Sequence, residues 1–171
     1  MEINEMVNLI KKCLINVCEN MVSNPFNKET SWTEEIKNSL AQLGEYKGYD
    51  ICTATKGKEY QSEWLYDLVW YKEDTQGFLI DVPLVVESEW GKHLVKDIKF
   101  DFEKLLLSRS YLKLMICNCQ EKNRDNYLQY FQKAINVCPL VTKGDLYLIA
   151  ILKLEGNDAV EFEFFEMTKQ M

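Results

Sequence analysis

Apolar residues recur every three or four positions through the first third of the chain and every second position after Gly48. A helix turns once in 3.6 residues and a strand alternates its faces, so this change of period obliges the chain to build helices first and a sheet second. The first stripe is Met6, Ile10, Cys13, Val17 and Met21, which predicts an amphipathic helix over 3–21. Asn24-Pro25-Phe26-Asn27 then breaks it, because the residue before proline is pushed out of the helical region. Ser31 with Glu34 three residues on forms a capping box, and Trp32, Ile36, Leu40 and Leu43 continue a second helix until Gly44 and Gly48 stop it.

The period-2 part reads as a meander: strands over 49–54, 63–71 and 78–90, with turns at 56–58 and 75–77. Pro83 has no N–H for a ladder, so the third strand is expected to become regular only near Leu84. Helical spacing returns at Ile98, Phe102, Leu105 and Leu106, and a strand over 111–117 puts Leu112, Leu114 and Ile116 on one side. A further helix over 123–137 and two strands over 146–152 and 160–165, joined at Gly156-Asn157-Asp158, complete the order ααβββαβαββ. That alternation predicts an α/β fold, a mixed β-sheet flanked by helices, in a single domain over 1–171.

Composition narrows the function classes. The 171 residues are 47% apolar with only 7 Gly and 3 Pro, which excludes disordered and collagenous chains. Twenty basic against twenty-seven acidic residues leave a net charge of −7, so any contact with a phosphate backbone or an anionic membrane needs a local basic patch. The passage over 78–86 is interrupted by Asp81 and Pro83 and is far shorter than a bilayer span, so no membrane segment is expected. The six cysteines fall mostly in apolar stretches and no basic-then-hydrophobic leader opens the chain; reduced thiols in a cytoplasmic protein are the expectation. No Gly-rich phosphate loop, GxSxG or HExxH is present, and Cys117-Asn118-Cys119 has no second pair at zinc spacing.

The chemistry-bearing residues are acidic. Asp67 sits in an otherwise apolar expected strand, where a charge needs a partner. Glu87 and Glu89, two apart on the third strand, share a face. If those strands are antiparallel neighbours, register decides whether the three acids meet, and a hard cation such as Mg²⁺ relieves such a cluster with one or two carboxylates plus waters. A salt bridge from Asp67 to a lysine is the plain alternative.

Asp67, a gap of nineteen residues and then Glu87-Ser88-Glu89 at the end of an apolar strand resemble the PD-(D/E)XK, or restriction-endonuclease-like, nuclease superfamily. The helix, meander, helix and strand over about 31–117 are similar to its αβββαβ core, about half of the chain. An extra N-terminal helix and a C-terminal helix plus two strands lie outside it. The resemblance implies Mg²⁺- or Mn²⁺-dependent hydrolysis of nucleic-acid phosphodiesters, with Asp67 and Glu87 as metal ligands and Glu89 as the third catalytic residue. Glu89 stands where the family usually has lysine, and Tyr66 where the family name has proline. Lys104 on the next helix is a candidate for a migrated cation, and Glu34 or Glu35 for an accessory acid. A catalytically inactive member of the fold, serving as a protein-interaction subunit, is the alternative; paired sites for double-strand cleavage would imply a homodimer.

Lys92, His93, Lys96 and Lys99 form a basic run between the third strand and that helix, able to track a phosphate backbone or simply to be solvated. Trp64, Tyr66, Trp70 and Tyr71, at strand spacing, are expected in core packing, with base stacking as the other use of such rings.

Overall fold

The computed structural model describes residues 1–23, 29–55, 60–61, 63–91, 94–155 and 158–170. The expected turns at 24–27, 56–58 and 156–157, together with Lys92 and His93, lie outside the described residues, as does the side chain of Ser31.

Two helices come first, α1 (Ile3–Val22) and α2 (Glu29–Tyr46). The meander follows as β1 (Asp50–Thr53), β2 (Leu68–Glu73) and β3 (Leu79–Glu89). A π-helical turn over Leu94–Ile98 leads into α3 (Lys99–Leu106), then β4 (Leu112–Gln120), a 3₁₀ turn, α4 (Arg124–Val137), β5 (Leu146–Glu155) and β6 (Asp158–Met167). The six strands form one sheet in chain order. The β1–β2, β2–β3 and β5–β6 pairs are antiparallel; β3–β4 and β4–β5 are parallel, each bridged by a helical crossover. The fold is therefore α/β, a mixed open sheet of six strands with four α-helices among the described residues.

The alternating sequence sorts the core into two layers. Leu84, Val86, Leu112, Leu114, Ile116 and Leu148 face α1 and α2. Val85, Met115, Cys117 and Ile149 face the other way, against Phe102 and Leu105 of α3 and Phe131 of α4. Central β4 is buried on both faces, which explains its nearly continuous apolar sequence. Among the described residues no helix is long and apolar enough to cross a membrane.

Several boundaries differ from expectation; β5 runs on to Glu155 rather than 152, and β6 spans Asp158–Met167 rather than 160–165. Gly44 does not stop α2; the helix runs on to Tyr46, and Gly44 is where it crosses the sheet, since a Cβ there would come within 2.6 Å of both Ile51 Cδ1 and Trp70 Nε1. Gly48, at φ +78°, makes the turn instead. Strand β2 begins at Leu68 rather than residue 63, because 65–67 bend away before the ladder starts. Asp67 therefore precedes the strand. Strand β4 runs to Gln120, three residues beyond its expected end. Pro83 behaves as expected: the β2–β3 register shifts between Trp70 and Lys72, and the ladder to β4 begins at Leu84.

Candidate active site

Antiparallel β2 and β3 place Leu68 opposite Val86, so the next residues outward, Asp67 and Glu87, lie at the same level of the sheet. The bend at 65–67 ends the main-chain ladder and leaves the Ser88 N–H without a carbonyl from β2. Asp67 supplies the acceptor: its Oδ2 takes hydrogen bonds from Ser88 N and Ser88 Oγ, both 2.8 Å. Its own carbonyl accepts the Thr53 hydroxyl at 2.7 Å, which ties the bend to β1.

Glu87 points to the α3 side, two residues after buried Val85, and is 1% exposed. Lys104 of α3 brings its Nζ to 2.7 Å from Glu87 Oε1, an ion pair whose approach lies outside good hydrogen-bond angles. The same Nζ is 2.9 Å from Asp101 Oδ1, one helical turn back. Burial is the main influence on Glu87 and pushes its carboxyl up to about 8; Lys104 opposes the rise and the charge of Asp67 adds to it. Burial alone would lower Lys104, but Glu87 and Asp101 outweigh it and hold the ammonium above its ordinary range.

Glu89 stays on the same face. Its Oε1 accepts the Gly91 N–H at 2.7 Å. Burial raises its pKa, the Gly91 contact opposes that, and Asp101, facing it across the gap to α3, raises it further. Gly91 itself has no room for a side chain, because a Cβ would overlap Asp97 of the π-helical turn.

Asp67, Glu87, Glu89, Asp101 and Lys104 thus form one patch at the C-terminal end of β3, drawn from a bend, a strand and a helix. The Asp67 charge acts on Glu87, but among the described residues the three expected acids do not gather into one metal-holding group. Asp67 is held by Ser88 rather than by the expected alternative of a lysine, and Lys104 arrives as the sequence reading allowed. Asp101 and Ser88 were not foreseen; the i, i+3 spacing of Asp101 and Lys104 on one helix is the signal that could have found Asp101. Glu34 and Glu35 sit on α2, on the opposite face of the sheet, half-buried and exposed respectively. The start of α2 does reach this end of β3, through the Trp90 Nε1 to Thr33 Oγ1 hydrogen bond of 2.7 Å.

No family model, curated protein or solved structure matches this chain.

Of the basic run, Lys92 lies outside the described residues, Lys96 falls in the π-helical turn with its side chain outside the description, and Lys99 pairs with Glu103 at 2.9 Å. Trp70 and Tyr71 are buried as expected. Trp64 is 44% exposed and Tyr66 half-buried, because their segment bends instead of pairing.

Among the described residues no group of three or more His, Cys, Asp and Glu side chains is arranged to hold a metal ion. A hard cation of the Mg²⁺ kind takes one or two carboxylates and keeps its remaining positions for water and phosphate oxygens, so Asp67 and Glu87 are the side chains that would have to supply it. Glu87 Oε1, buried and without a well-aligned hydrogen-bond donor, already has the Lys104 ammonium 2.7 Å away, so a cation there would have to displace that ion pair.

Proposed function

We propose that the protein is a divalent-cation-dependent phosphodiester hydrolase acting on nucleic acid, with a restriction-endonuclease-like core. The observation that carries this reading is the approach of Lys104 to buried Glu87: the helix after the meander returns a cation to the patch where Glu89 replaces the family's lysine. The order helix, antiparallel meander, helix and parallel strand supports the same reading.

Asp67 and Glu87 would hold Mg²⁺ or Mn²⁺, which when bound lowers the pKa of water toward neutrality and offsets charge on the reacting phosphate. Ser88 orients Asp67 by donating twice to one oxygen, leaving Oδ1 for ligation. Lys104 aims a charge at the phosphoryl oxygens. Glu89, its pKa raised by burial, takes a proton from the attacking water. Lys99 and the lysines before it offer backbone contacts in an otherwise acidic protein.

A second reading has its own observation. Asp67, Glu87 and Glu89 each already have a partner in Ser88, Lys104 and Gly91, as expected of an inactive interaction subunit whose patch has become structural. Incubation with DNA and with RNA in Mg²⁺ or Mn²⁺, beside Asp67→Ala, Glu87→Ala and Lys104→Ala, separates the two. Cleavage abolished by all three supports hydrolysis. No cleavage, or cleavage untouched by the substitutions, rejects it.

A further inference from the structure

On the same side of the sheet as the acidic patch lies a cavity of about 450 Å³, in the size range of small-ligand sites. Its walls are the bend before β2 (Trp64 and Tyr66), the start of β3 (Leu79, Asp81) and the segment between α3 and β4 (Arg109, Tyr111). Two observations tie it to the patch. Its floor includes Val85, two residues before Glu87 on the same face of β3, a separation of about 7 Å along the strand. Tyr66 belongs to both: it lines the cavity and, in the bend over 65–67, immediately precedes Asp67 of the patch.

The lining selects a ligand class. Trp64 and Tyr111 are 44% and 61% exposed, so their rings are open to contact, and the Trp64 indole is backed by Tyr71 at 5.0 Å between ring centroids. An indole held in this way offers a stacking surface that costs little to order, and the open Tyr111 ring offers a second. Arg109 is exposed at the rim, where a guanidinium can stack on a base or meet a phosphate. Asp81 is half-buried in the wall and, when ionised, only accepts hydrogen bonds. A carboxylate repels a phosphate from the interior and welcomes an exocyclic amine.

We infer that this cavity takes one unpaired nucleobase bearing an amino group, from a single strand whose neighbouring phosphodiester lies at the Glu87–Lys104 patch. The inference rests on the hydrolase reading for the second half of that statement only. A base inside a duplex is stacked and paired, so it cannot enter without being extruded. The substrate class is therefore single-stranded or locally unpaired nucleic acid.

The test measures binding without turnover: fluorescence anisotropy of end-labelled oligoadenylate, oligothymidylate and a duplex of equal length, on the intact protein with EDTA present. Oligoadenylate should bind about tenfold or more tighter than the duplex, and Trp64→Ala and Tyr111→Ala should each weaken it by about fivefold or more. Asp81→Asn should narrow the preference for adenine over thymine. Both aromatic positions are exposed, and far-UV circular dichroism checks that the variants fold. Equal binding of duplex and single strand, thymine bound as well as adenine, aromatic variants that bind normally, or no binding at all would each overturn the inference. Binding that needs Trp64 and Tyr111 in a protein that cuts nothing with Mg²⁺ or Mn²⁺ removes the hydrolase reading and leaves the pocket. Cleavage that needs Asp67 but ignores both rings removes the pocket alone.

Discussion

Glu87 carries the largest electrostatic liability in the patch. It is a nearly inaccessible carboxyl, and burial outweighs the help of Lys104. Because its folded pKa is raised from 4.5 to about 8, the folded state holds this proton more tightly than the unfolded chain does. The associated stability is fully present below the unfolded value and is lost as pH rises through the folded one. Urea denaturation at about pH 5 and about pH 8 should show wild type losing on the order of a few kcal/mol across that interval relative to Glu87→Gln, which keeps the shape without the titration. Parallel pH profiles for the two proteins would contradict this assignment. The residues alone could mark Glu87 and Glu89 as sharing a face, since alternation is a property of any strand. They could not mark Glu87 as buried, because its burial depends on where α3 lands.

Helix α2 and strands β1 and β2 meet at Gly44. Alanine favours helix interiors over glycine by about 1 kcal/mol, so propensity alone would make Gly44→Ala stabilising. The contact reverses the sign. The added methyl would collide with the Trp70 indole, whose Nε1 donates to Leu40 O at 3.1 Å and whose ring stacks on Tyr49 at 5.7 Å, so the ring has little freedom to yield. Gly44→Ala should cost about 1–3 kcal/mol in chemical denaturation; a variant as stable as wild type would mean that the helix can lift from the sheet. Gly44 reads in sequence as a helix stop because a glycine required by close packing and a glycine ending a helix look alike in one dimension. The start of β2 has a related cause: the residues over 63–67 have strand-like composition, but among the described residues they join no strand ladder, and 65–67 bend.

Across the whole molecule, stability should fall from the centre of the sheet to its edge. Strand β4 is paired on both sides and covered on both faces, whereas β1 has four residues and one strand neighbour, β2. Native-state hydrogen exchange should therefore be slowest at Met115–Cys117 and faster in β1 by orders of magnitude; equal protection at the two places would show that the sheet opens only as a unit. The α3/α4 side of this rigid centre carries the acidic patch and the aromatic cavity, so rigid β3 positions the floor of both.

Periodicity by itself determined the number, kind and order of the elements, because amphipathic spacing is a local consequence of helix and strand geometry. Whether the acids came near one another was decided by the β2–β3 register, which alternation along either strand leaves open. Which carboxylate is buried, that Ser88 and not a lysine holds Asp67, that Lys104 reaches Glu87, and that Trp64 and Tyr111 flank a cavity were decided only by tertiary structure. Those facts depend on the register and crossing of segments far apart in the chain, where burial and Coulomb energies are set by distances that no spacing along the sequence encodes.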